Sequence, residues 1–183
     1  MINFQQFEIL SFDCYGTLID WESGILTALK TILFNHNIHI DSDEQILEMF
    51  AQSESSQESG EYLNYREILK RVVQNFGEQL DFTPTEAELN YLPESIQDWQ
   101  PFPDTFASLK ALKKRYKLTI ISNIDDDLFA YSAKKLEVDF DWLITAQQVK
   151  SYKPSLQNLK WRLSEWAYLL TNCYTLPKVF IMT

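Results

Sequence analysis

The chain has 183 residues, 45% of them hydrophobic, with 26 acidic residues against 16 basic ones and a formal net charge of -10. That content supports one packed core domain with a small insert and excludes wholesale disorder. The acidic balance disfavours nucleic acid and anionic membrane as partners. A small-molecule substrate is the expected partner, and a homodimer is the assembly to test.

Phe7 to Phe12 is a short apolar run ending at Asp13 and then Gly16, which predicts a buried strand running into a tight turn. From Glu22 to Phe34, the residues Ile25, Leu26, Leu29, Ile32 and Leu33 recur at helical spacing. Asp41-Ser42-Asp43 offers caps for a second helix containing Ile46, Leu47 and Phe50. Ser53 to Glu61 is polar, includes Gly60, and is expected to be a loop. Tyr62 to Phe76 has helical spacing through Tyr65, Ile68, Leu69, Val72 and Val73, with Gly77 as the expected C-cap. Thr83-Pro84 starts a short helix through Leu89. The stretch from Glu22 to about Pro93 thus carries helices and no strand.

The pattern then changes. Pro101 to Pro103 is a turn, and Asp104 caps a helix through Leu112 whose basic end, Lys113-Lys114-Arg115, suits the helix dipole. Leu118 to Ile121 is a buried strand ending at Ser122-Asn123. Asp125 to Lys135 reads as a helix, Phe140 to Thr145 as a strand, and a helix opens at Pro154 or Ser155 and runs to about Glu165. This alternation predicts an α/β fold with a parallel sheet. The expected organisation is a core of residues 1–20 and 94–183 with a helical insert, 21–93. An insert at that point lies over the carboxyl ends of the strands, where such sheets bind ligands.

Two cysteines, Cys14 and Cys173, and two histidines make neither a disulfide framework nor a zinc spacing. No signal-like segment opens the chain and no apolar run reaches spanning length, so a cytoplasmic protein is expected. Three polar features fall at expected strand ends: Asp13 with Thr17, Ser122-Asn123, and Lys153 within Ser151-Tyr152-Lys153-Pro154. A carboxylate there can attack an electrophilic carbon or phosphorus. A lysine opposite offsets negative charge, and serine, asparagine and turn amides can donate to a substrate anion. Asp125-Asp126-Asp127 reads as a dipole-favoured helix start rather than a metal cluster. Cys14 is expected to point away from the site.

The strings FDCYGTLIDWE, ISNIDDDLF and YKPSLQN, in this order, resemble the first three motifs of the haloacid dehalogenase superfamily, in the branch named for type II 2-haloacid dehalogenases. The resemblance spans residues 7 to about 165. It implies a Rossmann-like core with a helical cap inserted after the first strand. By position it makes Asp13 the nucleophile, held by Thr17 and stabilised by Lys153, with Ser122, Asn123 and Tyr15 at the substrate. Phosphatases of this superfamily carry a second aspartate two residues after the nucleophile, and Tyr15 stands there instead. A halide leaves without a proton, so carbon–halogen hydrolysis is expected, with no cofactor. A phosphatase of the same superfamily would add magnesium. Type II dehalogenases also carry a cap arginine for the substrate carboxylate; Glu48 to Gln57 has none, and Arg66 is the nearest candidate.

The fourth family motif is missing. Trp166 to Thr183 contains no Asp, Glu or Gly. Back-translated and displaced by one nucleotide, Tyr168 to Thr183 reads as IPTDKLLHVAQSLYHD, which resembles that motif when first bases are chosen in its favour. A frameshift near Glu165 is therefore expected, and with it an incomplete core whose C-terminal strands are missing or replaced. Val179-Phe180-Ile181-Met182 is the candidate makeshift strand beside the first. A non-catalytic remnant is the competing reading, in which the 183-residue chain aggregates or is inactive.

Overall fold

The computed structural model describes residues 7–155 and 179–182. Strand β1 (Ile9–Phe12) leads into a two-residue strand β2 (Ile19–Asp20) and then an all-helical insert of α1 (Trp21–Asn35), α2 (Asp43–Glu58), α3 (Tyr65–Leu80) and α4 (Glu86–Ser95). The chain returns through β3 (Gln100–Pro101), α5 (Thr105–Lys113), β4 (Lys117–Ser122), α6 (Asp126–Leu136), β5 (Trp142–Thr145) and the one-turn α7 (Ala146–Val149), and β6 (Val179–Met182) follows. The α/β class and the inserted helical cap are therefore as expected. No helix among the described residues is long and apolar enough to cross a membrane.

The main sheet runs β5-β4-β1-β6, with every pairing parallel. All four residues of β1 are buried, as expected for a strand covered on both faces. β6 pairs with β1 in the register Ile9 with Val179 through Phe12 with Met182. The expected makeshift strand thus forms at the backbone level, and among the described residues β6 replaces β1 at that edge of the sheet. The expected displaced reading frame and the helix from Pro154 to about Glu165 fall largely on residues outside those described.

β2 and β3 pair antiparallel and close the two ends of the helical insert into a stem. The sequence pattern did not reveal this pair, because two residues per strand carry no periodicity. In α1, Ile25, Ala28, Leu29, Ile32 and Leu33 are buried, and Asp20 caps the helix by accepting from the Ser23 amide at 3.1 Å. Each such aliphatic side chain taken from water contributes roughly 1.5–3 kcal/mol. One hydrophobic cluster runs without a break from Leu10 and Ile120 in the sheet to Val72 and Phe76 in the insert. The cap and the core therefore share an interior.

Three local expectations are corrected. Ser53 to Glu61 is mostly not a loop: α2 continues to Glu58, with Ser53 buried and bonded to Asn75 at 2.7 Å. Gly77 is inside α3, not its cap; the left-handed position is Asp81, at φ 56°. Helix α4 starts two residues later than Thr83-Pro84 would have it, because Thr85 and Glu88 form a reciprocal capping box.

Gly24 shows how tightly α1 approaches the rest of the cap. A Cβ there would lie 2.3–2.5 Å from the ring of Trp99, which is buried and donates to Ser95 Oγ at 3.2 Å. Overpacking of this kind costs about 1–3 kcal/mol. Gly24→Ala is therefore expected to lower the midpoint of thermal unfolding by about 2–12 °C, which circular dichroism can read directly.

Candidate active site

Asp13 follows the last residue of β1, at the carboxyl edge of the sheet. Its Oδ1 accepts from the Cys14 amide at 2.8 Å and from Lys153 Nζ at 2.7 Å. The following turn is tight. Cys14 O accepts from the amides of Thr17, Leu18 and Ile19, and Gly16 donates to Ile19 O at 2.9 Å. Gly16 has φ 88°, and a Cβ on it would meet Trp21 Nε1 at 2.9 Å, so both conformation and space call for glycine there. Thr17 belongs to this turn through its backbone, and it is not among the residues of the cavity wall.

Lys153 reaches Asp13 from beyond α7, across 140 residues of chain. Two anchors hold it. Its Nζ also donates to Ile121 O at 3.0 Å, and its backbone is clamped by Asn123: the Lys153 amide donates to Asn123 Oδ1 at 2.8 Å, and Asn123 Nδ2 donates to Lys153 O at 3.3 Å. Asn123 was expected in the substrate cradle. Its amide group also holds Lys153, a positioning role beside the expected one.

A cavity of about 250 Å³ opens over Asp13. Ser122, Asn123 and Lys153 line it from the core; Trp21, Ile25, Glu54, Glu58 and Tyr65 line it from the insert; Tyr15 and Trp99 complete the wall. The structure thus brings together five of the six expected site residues, Thr17 being the exception. Tyr15 packs edge-on against Trp99, and its hydroxyl meets Ser132 Oγ of α6 at 3.0 Å. Burial pushes that phenol well above its ordinary value, so it offers no acid at neutral pH. Cys14 is fully buried, and burial drives its thiol strongly upward, in keeping with a side chain that takes no part in chemistry.

The residues that sequence reasoning missed are Glu54 and Glu58. Both lie in the stretch read as a loop. With Phe50 they occupy positions spaced by four on α2, hence on one face. Glu54 accepts from the Tyr65 hydroxyl at 2.5 Å, and burial raises its carboxyl. Glu58 accepts from Asn123 Nδ2 at 3.3 Å. Burial, reinforced by the charge of Glu54, lifts Glu58 to about 8, against the opposing pull of Asn123 and Lys153. The spacing Phe50-Glu54-Glu58 was the available signal, and the polarity of the segment masked it.

Arg66 does not take the place of a cap arginine in the cavity. Its guanidinium bonds Glu94 and, at 2.8 Å, Asp127, while its amide donates to Asp125 Oδ2 at 2.9 Å. It clasps the insert to α6. The three aspartates at the start of α6 are likewise engaged: Asp125 by the amide of Arg66, Asp126 by Thr145 and Gln148, and Asp127 by the guanidinium of Arg66. Among the described residues, no group of three or more His, Cys, Asp or Glu side chains is placed to hold a metal ion.

A parallel sheet that presents an aspartate at the end of its first strand beneath an inserted helical cap is the architecture of one class of hydrolase. The family profile described as haloacid dehalogenase-like hydrolase matches residues 7–163, and the chain belongs to that family. Haloacetate dehalogenase H-2 of Moraxella sp. (strain B) is 24% identical over 172 residues, which are 90% of this chain and 73% of that protein. Among solved structures, the L-2-haloacid dehalogenase of Xanthobacter autotrophicus with chloropropionic acid covalently bound superposes with a TM-score of 0.72 at 20% identity, covering 96% of this chain and 69% of the other. The hydrolase YfnB of Bacillus subtilis, bound to magnesium, gives 0.75 at 15% identity, covering 96% and 79%. At these identities the structural likeness is one of fold.

Proposed function

We propose that this chain hydrolyses a carbon–halogen bond of a small organic halide through an ester on Asp13. The observation that carries the reading is Asp13 itself: Oδ1 is held by Lys153 at 2.7 Å and by the Cys14 amide, in a cavity whose wall includes the rings of Tyr15, Trp21, Tyr65 and Trp99. Oδ2 takes part in neither of those bonds and is the oxygen that attacks. It displaces halide from carbon, and the electron pair of the broken bond leaves with the halide. Water then hydrolyses the ester and returns the carboxylate. Tyr15, buried and bonded to Ser132, supplies no proton two residues after the nucleophile, and a halide needs none.

Family chemistry suggests a 2-haloacid as substrate. Among the described residues of the cavity wall the one cationic side chain is Lys153, already paired with Asp13, while the insert contributes the carboxyl groups of Glu54 and Glu58. A substrate carboxylate gains little there. We therefore expect kcat/KM for chloroacetamide to exceed that for chloroacetate by about tenfold, the ~1.4 kcal/mol scale of leaving a carboxylate without a charged donor in a partly dehydrated site. A preference for chloroacetate would overturn this ranking.

Magnesium-dependent phosphomonoester hydrolysis is the competing reading. Among the described residues the donor set does not fit the ion: Tyr15 stands where a second carboxylate would be, Lys153 already occupies one oxygen of Asp13, and no third acidic or histidine ligand joins them. Halide release from chloroacetamide and chloroacetate in the presence of a chelator, beside phosphate release from p-nitrophenyl phosphate with magnesium, decides between the two. If the chain yields neither product while a frame-restored version releases halide, the loss belongs to the segment after Glu165 and the remnant reading holds.

A further inference from the structure

The chemistry of Asp13 leaves one requirement unfilled. An aspartyl ester is hydrolysed when a base takes a proton from the attacking water and an acid returns one to the departing alkoxide. Tyr15 cannot do this at neutral pH, and Lys153 is the cation that pairs with Asp13. Glu54 is occupied by the Tyr65 hydroxyl at 2.5 Å. Ser122 has no basic group. Among the described residues, the remaining carboxyl in the cavity wall is Glu58.

We infer that Glu58, the last residue of α2, is the general base and acid that hydrolyses the Asp13 ester. Its placement supports this. It lines the same cavity as Asp13, and Asn123 joins the two sides of the site: Nδ2 donates to Glu58 Oε1 at 3.3 Å and to Lys153 O at 3.3 Å, while Lys153 Nζ holds Asp13 at 2.7 Å. The carboxyl end of α2 presents the negative pole of the helix to the same group, which favours a carboxyl that keeps its proton. The groups around it are Glu54 on its own helix, Tyr65 from α3, Asp13 beyond β1, Asn123 beyond β4, and Tyr152 and Lys153 beyond α7. Of these only Lys153 is cationic. The resulting value of about 8 lies close to neutrality, where one group serves as base and then as acid.

The step balances. Water oxygen bonds to Asp13 Cγ as its proton passes to the Glu58 carboxylate. The tetrahedral adduct collapses, the bond from Cγ to the substrate oxygen breaks, and that oxygen takes the proton back from Glu58. Asp13 is regenerated as the acid and loses its proton to solvent. The sum over both stages is organic halide and water giving alcohol, halide and one proton.

This inference rests on the Asp13 ester, and the test separates the two. Wild type and Glu58→Gln, which keeps an oxygen to accept from Asn123, are mixed with chloroacetamide, and chloride and protein mass are followed. Wild type is expected to turn over continuously. Glu58→Gln is expected to release about one chloride per chain and then slow by ~10²–10⁴-fold, the range for loss of a general base. It should retain an adduct on the peptide carrying Asp13 that hydroxylamine removes, which marks an ester rather than a thioether on Cys14. Glu58→Gln turning over within threefold of wild type would overturn the role of Glu58 and leave Asp13 intact. No chloride and no adduct from either chain, nor from a frame-restored version, would overturn the Asp13 ester, and this inference with it. Should the variant not fold, ester breakdown in wild type, followed from pH 6 to 9, is expected to quicken up to about pH 8 and then level off. A flat profile would equally overturn the assignment.

Discussion

Asp13→Asn is expected to abolish halide release, with kcat lowered by roughly 10⁴-fold or more, the scale seen when a covalent nucleophile is removed. The substitution is a narrow one. Asparagine keeps an oxygen at the Oδ1 position, where the Cys14 amide and Lys153 donate at 2.8 and 2.7 Å. It replaces Oδ2, the attacking oxygen, with an amide nitrogen that has no usable lone pair. Folding should be little affected, because neither bond to Oδ1 is lost and the side chain is partly exposed. Chloride assays and a thermal melt on the same preparation check both halves. Turnover within tenfold of wild type, by a cooperatively folded variant, would remove Asp13 from the reaction.

Lys153→Met is expected to lower kcat by roughly 10²–10³-fold, the range for removing one preorganised donor from a developing charge. Methionine fills the space of the alkyl chain but leaves Asp13 Oδ1 with the Cys14 amide alone and Ile121 O without its 3.0 Å donor. The effect should fall on kcat more than on KM, because the lysine acts on the nucleophile and on the tetrahedral adduct. The ion pair is partly open to solvent, with side-chain exposures of 34% and 29%. Pairs so exposed contribute only ~0–1 kcal/mol to folding, so the melt should move by a few degrees at most. A loss confined to KM, with kcat preserved, would contradict this account and make Lys153 a substrate-binding cation instead.

Much of the frame was legible because it rests on local chemistry. The run from Phe7 to Phe12 ending in Asp13 had to be a buried strand, and it is one from Ile9. The spacing of Ile25, Leu29, Ile32 and Leu33 had to be a helix, and those residues are its buried face. The order of strands and helices called for a parallel sheet, since strands separated by helices return in the same direction. What local chemistry could not carry was the role of a polar residue on a helix. Ser53 to Glu61 has the composition of a loop, and its helical course is set by packing: Ser53 meets Asn75 and Glu54 meets Tyr65, both on α3. That packing supports the helical course, which places Glu54 and Glu58 in the wall of the cavity over Asp13.

The sequence alone therefore determined the nucleophile candidate, its lysine and the order of the elements around them, since each depends on residue type and near-neighbour spacing. The three-dimensional arrangement decided the rest. It added to Asn123 a clamp on Lys153, engaged Arg66 with Glu94 and Asp127, and paired Val179–Met182 with β1. It also set two carboxyl groups of the insert over the nucleophile. These outcomes depend on which distant groups meet in a shared, partly dehydrated space. Hydrogen-bond partnership and carboxyl proton affinity are properties of that space and not of the residues taken singly.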